Sequence, residues 1–237
     1  DSEKWKQGFH HHIRVYQQYC YRSLQQTLVS LLPILLEYLQ SNLHRNPCTL
    51  DIVCTSFTYN LVHMVEEITG NFPDVYRNDQ ISLAEVGAYD VIMLSPGPGI
   101  PNEAGILKEV IHTYAPTIPI FAVCLGLQAI TEVFGGTIVN MDQVYHGVAT
   151  TMEVVDKEAL LFRGMPVKFE AARYHSWIAA EEDFPEMLKI TARDEEGGIM
   201  ALEHKNYNVS AVQFHPESIL TPLGEQMVRN FIDNLQA

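Results

Sequence analysis

The chain is short of positive charge and of cysteine, and it has no long apolar run. Against 29 Asp and Glu stand 15 Lys and Arg, a formal net charge of −14. A nucleic-acid groove or a platform for anionic lipid needs a surplus of positive charge. Neither a nucleic-acid partner nor a membrane partner is therefore expected, and the acidity reads as a solvated surface. The four cysteines, at 20, 48, 54 and 124, form no C-x-x-C pair and are too few for a disulfide framework. They fit a reduced, cytoplasmic protein. The most apolar early stretch, TLVSLLPILL (27–36), is about half the roughly twenty residues that a membrane span needs. It contains Pro33 and lies too far along for an ordinary signal peptide. His10, His11 and His12 are adjacent, a run that reads as solvated rather than as a metal site, and no metal ligands are expected elsewhere.

What is present is a large apolar content. Hydrophobic residues make up 47% and charged residues 19% of the 237, enough to bury a sizeable core and to exclude disorder. Residues 1–48 differ from the rest. They are rich in Gln and Tyr, and from Ser23 to Leu43 their apolar residues recur at three- and four-residue steps. That spacing predicts a helical N-terminal extension, bent near Pro33, ahead of one globular domain over 49–237. From residue 49 the text alternates. TLDIVC, DVIML (90–94) and IPIFAV (118–123) read as strands, the latter two as buried parallel ones. NLVHMVEEITG, GILKEVIHTYA and LGLQAITEVFGG read as helices. This order predicts an α/β fold with a mostly parallel central sheet flanked by helices. Past Gly136 come shorter β-like pieces, GTIVN, TTMEVV, LKITARD, GIMALEH and VSAVQF, and TPLGEQMVRNFIDNL closes the chain as an amphipathic helix.

Open α/β sheets bind ligands beyond the carboxyl ends of their strands, and three segments are placed to meet there. Cys124 ends IPIFAV and starts a helix. A thiol at a helix N-terminus meets the positive end of the macrodipole and free N–H groups, both of which favour thiolate. In SAVQFHPES (210–218) a strand delivers His215, and Glu217 stands two residues on. A His can take a thiol proton, and a carboxylate on its other nitrogen orients it. In SPGPGIP (95–101), Gly97 and Gly99 let backbone approach a ligand. Its N–H groups, with that of Leu125, could form an oxyanion hole. Taken singly, a Cys after a strand is usually buried, an H-P-E is usually a turn and a Gly/Pro run is usually a loop. Together and in this order they point to a thiol nucleophile.

CLGLQAI, QFHPES and SPGPGIP together resemble the class I (triad) glutamine amidotransferase family. SFTYNLV (56–62), RNDQ (77–80), YHG (145–147), RYHSW (173–177) and HPESILTP (215–222) narrow the resemblance. They point to the glutaminase components that serve anthranilate synthase and aminodeoxychorismate synthase. The resemblance implies a Rossmann-like α/β fold with an additional small β-sheet. It implies Cys124 as nucleophile, His215 as base and then acid, and Glu217 as the carboxylate that orients it. It further implies that Gly97, Pro98, Gly99 and Leu125 surround glutamine and its oxyanion. Gln128 would contact the substrate, and Ser176 and Trp177 would hold its amino-acid end through backbone groups. L-glutamine is the implied substrate. The implied partner is component I of anthranilate synthase, the chorismate-binding subunit, or that of aminodeoxychorismate synthase. No cofactor is implied in this chain, the Mg²⁺ belonging to the partner. The family's Asp-Asn-Tyr-Asp turn before SFTYN is replaced here by DIVCT (51–55), and residues 1–50 have no counterpart in the pattern. The competing readings are a non-catalytic scaffold of the same fold and a hydrolase or peptidase with the same triad.

Overall fold

A computed structural model describes residues 49–53 and 58–235, with side chains from residue 59 onward. The expected helical extension over 1–48 and the start of SFTYN lie outside the described residues. The elements, in chain order, begin with strand β1 (Thr49–Val53), helix α1 (Thr58–Thr69) and strand β2 (Asp74–Arg77). A one-turn helix α2 (Leu83–Val86), β3 (Val91–Leu94), α3 (Leu107–Tyr114), β4 (Ile120–Val123) and α4 (Leu125–Val133) follow. The second half holds β5 (Ile138–Asn140), β6 (Val148–Val154), β7 (Lys168–Arg173), β8 (Trp177–Ala179), β9 (Leu188–Asp194), β10 (Ile199–His204) and β11 (Val209–Val212). Helix α5 (Gly224–Asn234) ends it. Among the described residues no helix is long and apolar enough to cross a membrane.

The strands form a nine-stranded sheet in the order β2-β1-β3-β4-β11-β10-β9-β6-β7, and β5 and β8 form a separate two-stranded sheet. From β2 to β11 neighbours run parallel; from β11 to β7 they run antiparallel. The parallel strands β3, β4 and β11 are buried along their whole length because helices cover both faces. Alternate side chains go to opposite sides. Val91, Met93, Phe121, Val123 and Val212 pack with Leu61 of α1 and Phe231 of α5. Ile92, Leu94, Ile120, Ala122 and Ala211 pack with Val110 and Ile111 of α3 and Leu127 and Ile130 of α4. The antiparallel half curls: past the edge strand's partner, Ala172 of β7 forms an isolated bridge with His215, just beyond β11.

Helix α4 lies close on the sheet because residue 126 has no side chain. A Cβ there would stand 2.8 Å from Ala122 Cβ and 3.3 Å from both Leu94 Cβ and its carbonyl oxygen. All three belong to central strands that cannot yield. Gly126→Ala is therefore expected to lower stability by about 1–3 kcal/mol, read as a fall in the urea midpoint with an unchanged slope. A midpoint equal to that of the parent would show that α4 is free to shift.

Candidate active site

Strand register brings three connections to one edge. Leu94 pairs with Ala122 and Val212 with Val123. The turns leaving β3, β4 and β11 thus start side by side at the carboxyl edge, with β4 in the middle. The first is SPGPGIP. In it Ser95 is buried, Gly97 is half-buried, and Pro98 and Gly99 are exposed. Gly99 has φ +79°, a conformation that costs a glycine nothing. Lys108 anchors the far end of this loop through Asn102 Oδ1 at 2.9 Å and Glu132 Oε2 at 3.0 Å, which ties it to α4.

Cys124 occupies the second turn. Its N–H continues the ladder to Val212 C=O at 2.8 Å, after which the chain reverses into α4. The reversal puts Cys124 at φ 53°, ψ −97°. A non-glycine residue held there carries about 1–3 kcal/mol of strain, and such strain clusters at functional sites. It is the geometry of a nucleophile elbow, with thiol in place of hydroxyl. Cys124 is buried. Leu125 opens the helix, where the first N–H groups have no intrahelical acceptor. Its N–H is thus a donor beside the sulfur.

The third connection carries His215 and Glu217, both buried. His215 Nδ1 donates to Glu217 Oε1 at 2.6 Å. Burial pushes the imidazole down, but Cys124 and Glu217 together push it up further, by hydrogen bonding and charge, and its pKa is raised to about 10. Nε2 has no hydrogen-bond partner among the described residues. Catalytic hydrogen bonds commonly tighten only around substrate. Three restraints hold this turn. His215 N–H donates to Ala172 C=O at 2.9 Å. Thr221 Oγ1 donates to His215 C=O at 2.7 Å and accepts from Ala172 N–H at 2.9 Å. Gly224 abuts Pro216, whose carbonyl a Cβ would overlap. The Tyr174 ring meets the His215 ring edge-on at 4.8 Å.

Ser176 and Trp177 are half-buried and are held by the small sheet, in which Asn140 pairs with Trp177. Their carbonyls are engaged inside the protein. Ser176 C=O accepts from Met141 N–H at 2.7 Å. Trp177 C=O accepts from Gln128 Nε2 at 2.9 Å and from His175 Nδ1 at 3.0 Å. Trp177 thus has both carbonyl lone pairs in use, and a grip on a ligand falls to its other groups. Behind it lies Arg173, only 1% exposed. It pairs with Asp194 at 2.8 Å, lies 3.6 Å from the Tyr145 ring centroid and donates to His175 Nε2 at 3.1 Å. A guanidinium is only a donor, so His175 carries its proton on Nδ1, facing Trp177.

Four residues of this site were not among those singled out from sequence: Gln213, Thr221, Arg173 and His175. Gln213 had a signal. Gln213 stands two residues before His215 at the end of a strand, so alternation puts the two on one side. Arg173 and His175 alternate in the same way within RYHSW. Thr221 had none, because its contacts reach to a strand 49 residues away.

The family model described as glutamine amidotransferase class-I matches residues 51–235. The aminodeoxychorismate/anthranilate synthase component 2 of Bacillus subtilis is 45% identical over 180 residues, 75% of this chain and 91% of that protein. The chloroplastic anthranilate synthase beta subunit 2 of rice, Oryza sativa subsp. japonica, is 44% identical over 183 residues, 75% of this chain and 67% of that protein. Among solved structures, a glutamine amidotransferase of Thermotoga maritima superposes with a TM-score of 0.65. It is 13% identical, and the match covers 81% of this chain and 99% of that one, a likeness of fold.

His175 makes the site sensitive to acid. Burial and the Arg173 guanidinium push its pKa down to about 3, against the opposing bond to Trp177, with a smaller downward effect of His215. The folded pKa lies below the ordinary 6.5, so the unfolded chain takes up this proton first as pH falls. The contribution of neutral His175 is complete above about pH 6.5 and is lost from there toward pH 3, on the order of 3 kcal/mol by pH 4. His175→Gln can keep both hydrogen bonds without titrating. Urea unfolding at pH 7 and pH 4 is expected to show a smaller acid loss in the variant than in the parent. Equal losses would mean that His175 is already charged in the folded protein.

Proposed function

The chain belongs to the class I glutamine amidotransferase family, and from that premise we propose that it is the glutaminase subunit of a chorismate-aminating synthase. It releases ammonia from L-glutamine and delivers it to a chorismate-binding partner, component I of anthranilate synthase, for tryptophan biosynthesis. The observation that carries the reading is the strained Cys124 on β4 beside the His215–Glu217 pair, bonded at 2.6 Å. Relatives named as anthranilate synthase components at 44–45% identity point to the product. The Bacillus subtilis relative is named for aminodeoxychorismate as well as anthranilate, which favours a second partner, component I of aminodeoxychorismate synthase.

In the first step the Cys124 sulfur attacks the side-chain carboxamide carbon of glutamine. The C–N bond breaks, His215 gives its Nε2 proton to the departing nitrogen, and ammonia leaves. A γ-glutamyl thioester remains on Cys124. In the second step neutral His215 takes a proton from water, whose oxygen attacks the thioester carbon; the C–S bond breaks and glutamate leaves. Leu125 N–H and the Gly97–Pro98–Gly99 backbone receive the developing oxyanion, a contribution of about two to three orders of magnitude per donor. Gln128 spends its amide hydrogens on Trp177 and Gln213, so its oxygen is the part left for substrate. Ser176 and Trp177 border the amino-acid end. None of these steps calls on a cofactor in this chain. In this proposal the catalytic domain is 49–237, residues 1–48 are an extension of it, and the protein works in the cytoplasm.

Cys124→Ala is expected to abolish glutamine hydrolysis and glutamine-dependent anthranilate formation by the two-subunit complex. The complex should still make anthranilate from added ammonium salts. Retained glutaminase activity in Cys124→Ala would overturn the assignment of the nucleophile. A complex with no ammonia-dependent reaction, from a partner active alone, would overturn the delivery role.

A further inference from the structure

The buried side chain nearest in kind to the triad is one the two chemical steps do not use. Gln213 lies between Val212, which receives the Cys124 N–H, and Phe214 in the core, and it is fully buried. Its Nε2 stands 3.5 Å from Cys124 Sγ, within reach for a bond to sulfur. An amide can be turned end for end, so the direction of this contact must be decided chemically. The neighbours decide it. Trp177 C=O can only accept, so the group of Gln128 that faces it at 2.9 Å is the amide nitrogen. The same nitrogen lies 3.3 Å from the next atom of Gln213, which must then be the oxygen. That leaves the Gln213 NH₂ facing the sulfur.

We propose that Gln213 is a fourth catalytic residue, donating a hydrogen bond to the nucleophilic sulfur of Cys124, with Gln128 as the positioning residue that sets its direction. The inference rests on Cys124 being the nucleophile. A cysteine side chain has a single torsion with three staggered settings. With Gln213 on one side of the sulfur and His215 approaching it, one setting is favoured, and the thiolate formed there has a donor. Arg173 acts further back, through His175. Its fixed donor selects the His175 tautomer that shares Trp177 C=O with Gln128. The contacts lead from a buried cation to the sulfur: two donors, His175 and Gln128, meet at Trp177 C=O, and from there Gln128 donates to Gln213 and Gln213 to the sulfur.

The test uses the full chain with Gln213→Met, which keeps length and volume but has no amide. Two quantities are read: steady-state glutamine hydrolysis, and the rate at which iodoacetamide labels the Cys124 peptide, followed by mass spectrometry. The expected result is a kcat lower by roughly 10- to 100-fold, the factor for a lost hydrogen bond to a charged group. KM should stay within about threefold of the parent, because ground-state binding is untouched. Labelling of Cys124 should slow in step with kcat. Unchanged kcat and labelling would overturn the proposal, and so would a raised KM with unchanged labelling, which would put Gln213 in the glutamine pocket. Gln128→Met gives a second arm, read by labelling alone: slower labelling supports the directed chain and parental labelling overturns it, even if Gln213→Met fails to fold. Iodoacetamide needs no glutamine. A parent protein that labels at Cys124 but does not hydrolyse glutamine would therefore overturn the glutaminase reading and leave the Gln213 comparison standing.

Discussion

The register of β4 on β11 is the constraint on which the site depends. Val123 lies opposite Val212, and the ladder runs one residue further, from Cys124 N–H to Val212 C=O. Because the two strands are parallel neighbours, the residues just past β11 emerge beside the residue just past β4. Alternation then puts Gln213 and His215 on one side and Phe214 in the core on the other. A slip of one residue would exchange those sides. It would bury an imidazole among Phe121, Phe169 and Phe231 and turn a phenyl ring toward the thiol. The apolar alternation of both strands, packed against helices on each face, is what forbids the slip. Core packing and the geometry of the candidate site are here the same requirement.

The antiparallel half of the sheet serves that site from the other side. By curling until Ala172 bridges His215, it closes the turn that carries His215 and Glu217, and Thr221 pins the closure with one hydroxyl in two hydrogen bonds. The same strand continues into RYHSW, so the Arg173–Asp194 pair sits just behind. A buried ion pair is weak evidence for stability, since desolvation offsets its attraction. Its partners here are unusually complete: Asp194 also accepts from Glu196 and Gly198 N–H, and Arg173 from below covers Tyr145 and feeds His175. What such a network contributes is direction. It leaves one tautomer for His175 and one orientation for the Trp177 carbonyl.

Much of this was readable from sequence. The buried strands DVIML and IPIFAV and the helix that begins at Leu125 are where the periodicity puts them, and a small separate sheet is present as the resemblance implies. Cys124, His215, Glu217 and SPGPGIP lie at one sheet edge as expected. The four-residue strand β2 escaped, since its pattern of exposed ends and half-buried centre lacks the apolar run that marks its neighbours. So did the curl of β7 onto His215, because pairing between residues 43 apart leaves no local periodicity. The role of Gln128 was only partly visible. The resemblance turned it toward substrate, whereas its amide nitrogen is committed to Trp177 and Gln213. Local spacing can say which side chains share a face; which of them bond across the sheet is set by topology.

In the proposed reaction the same geometry lets one imidazole serve as acid and then as base. Before reaction, two neighbours hold His215 up to about 10 against its burial: Cys124 and Glu217. At that value it is protonated at neutral pH and ready to supply the leaving nitrogen. Formation of the proposed thioester takes the sulfur away as a partner of His215, and with it the first-named of the two supports. Burial continues to oppose the charged ring, and only the 2.6 Å bond to Glu217 remains to favour it. The proton that left with ammonia is therefore not recovered at once, and a neutral ring faces the water of the second step. When the C–S bond breaks, His215 regains the sulfur as its partner. The switch needs no movement of the protein. It needs only that the nucleophile be one of the two groups that keep its own base protonated.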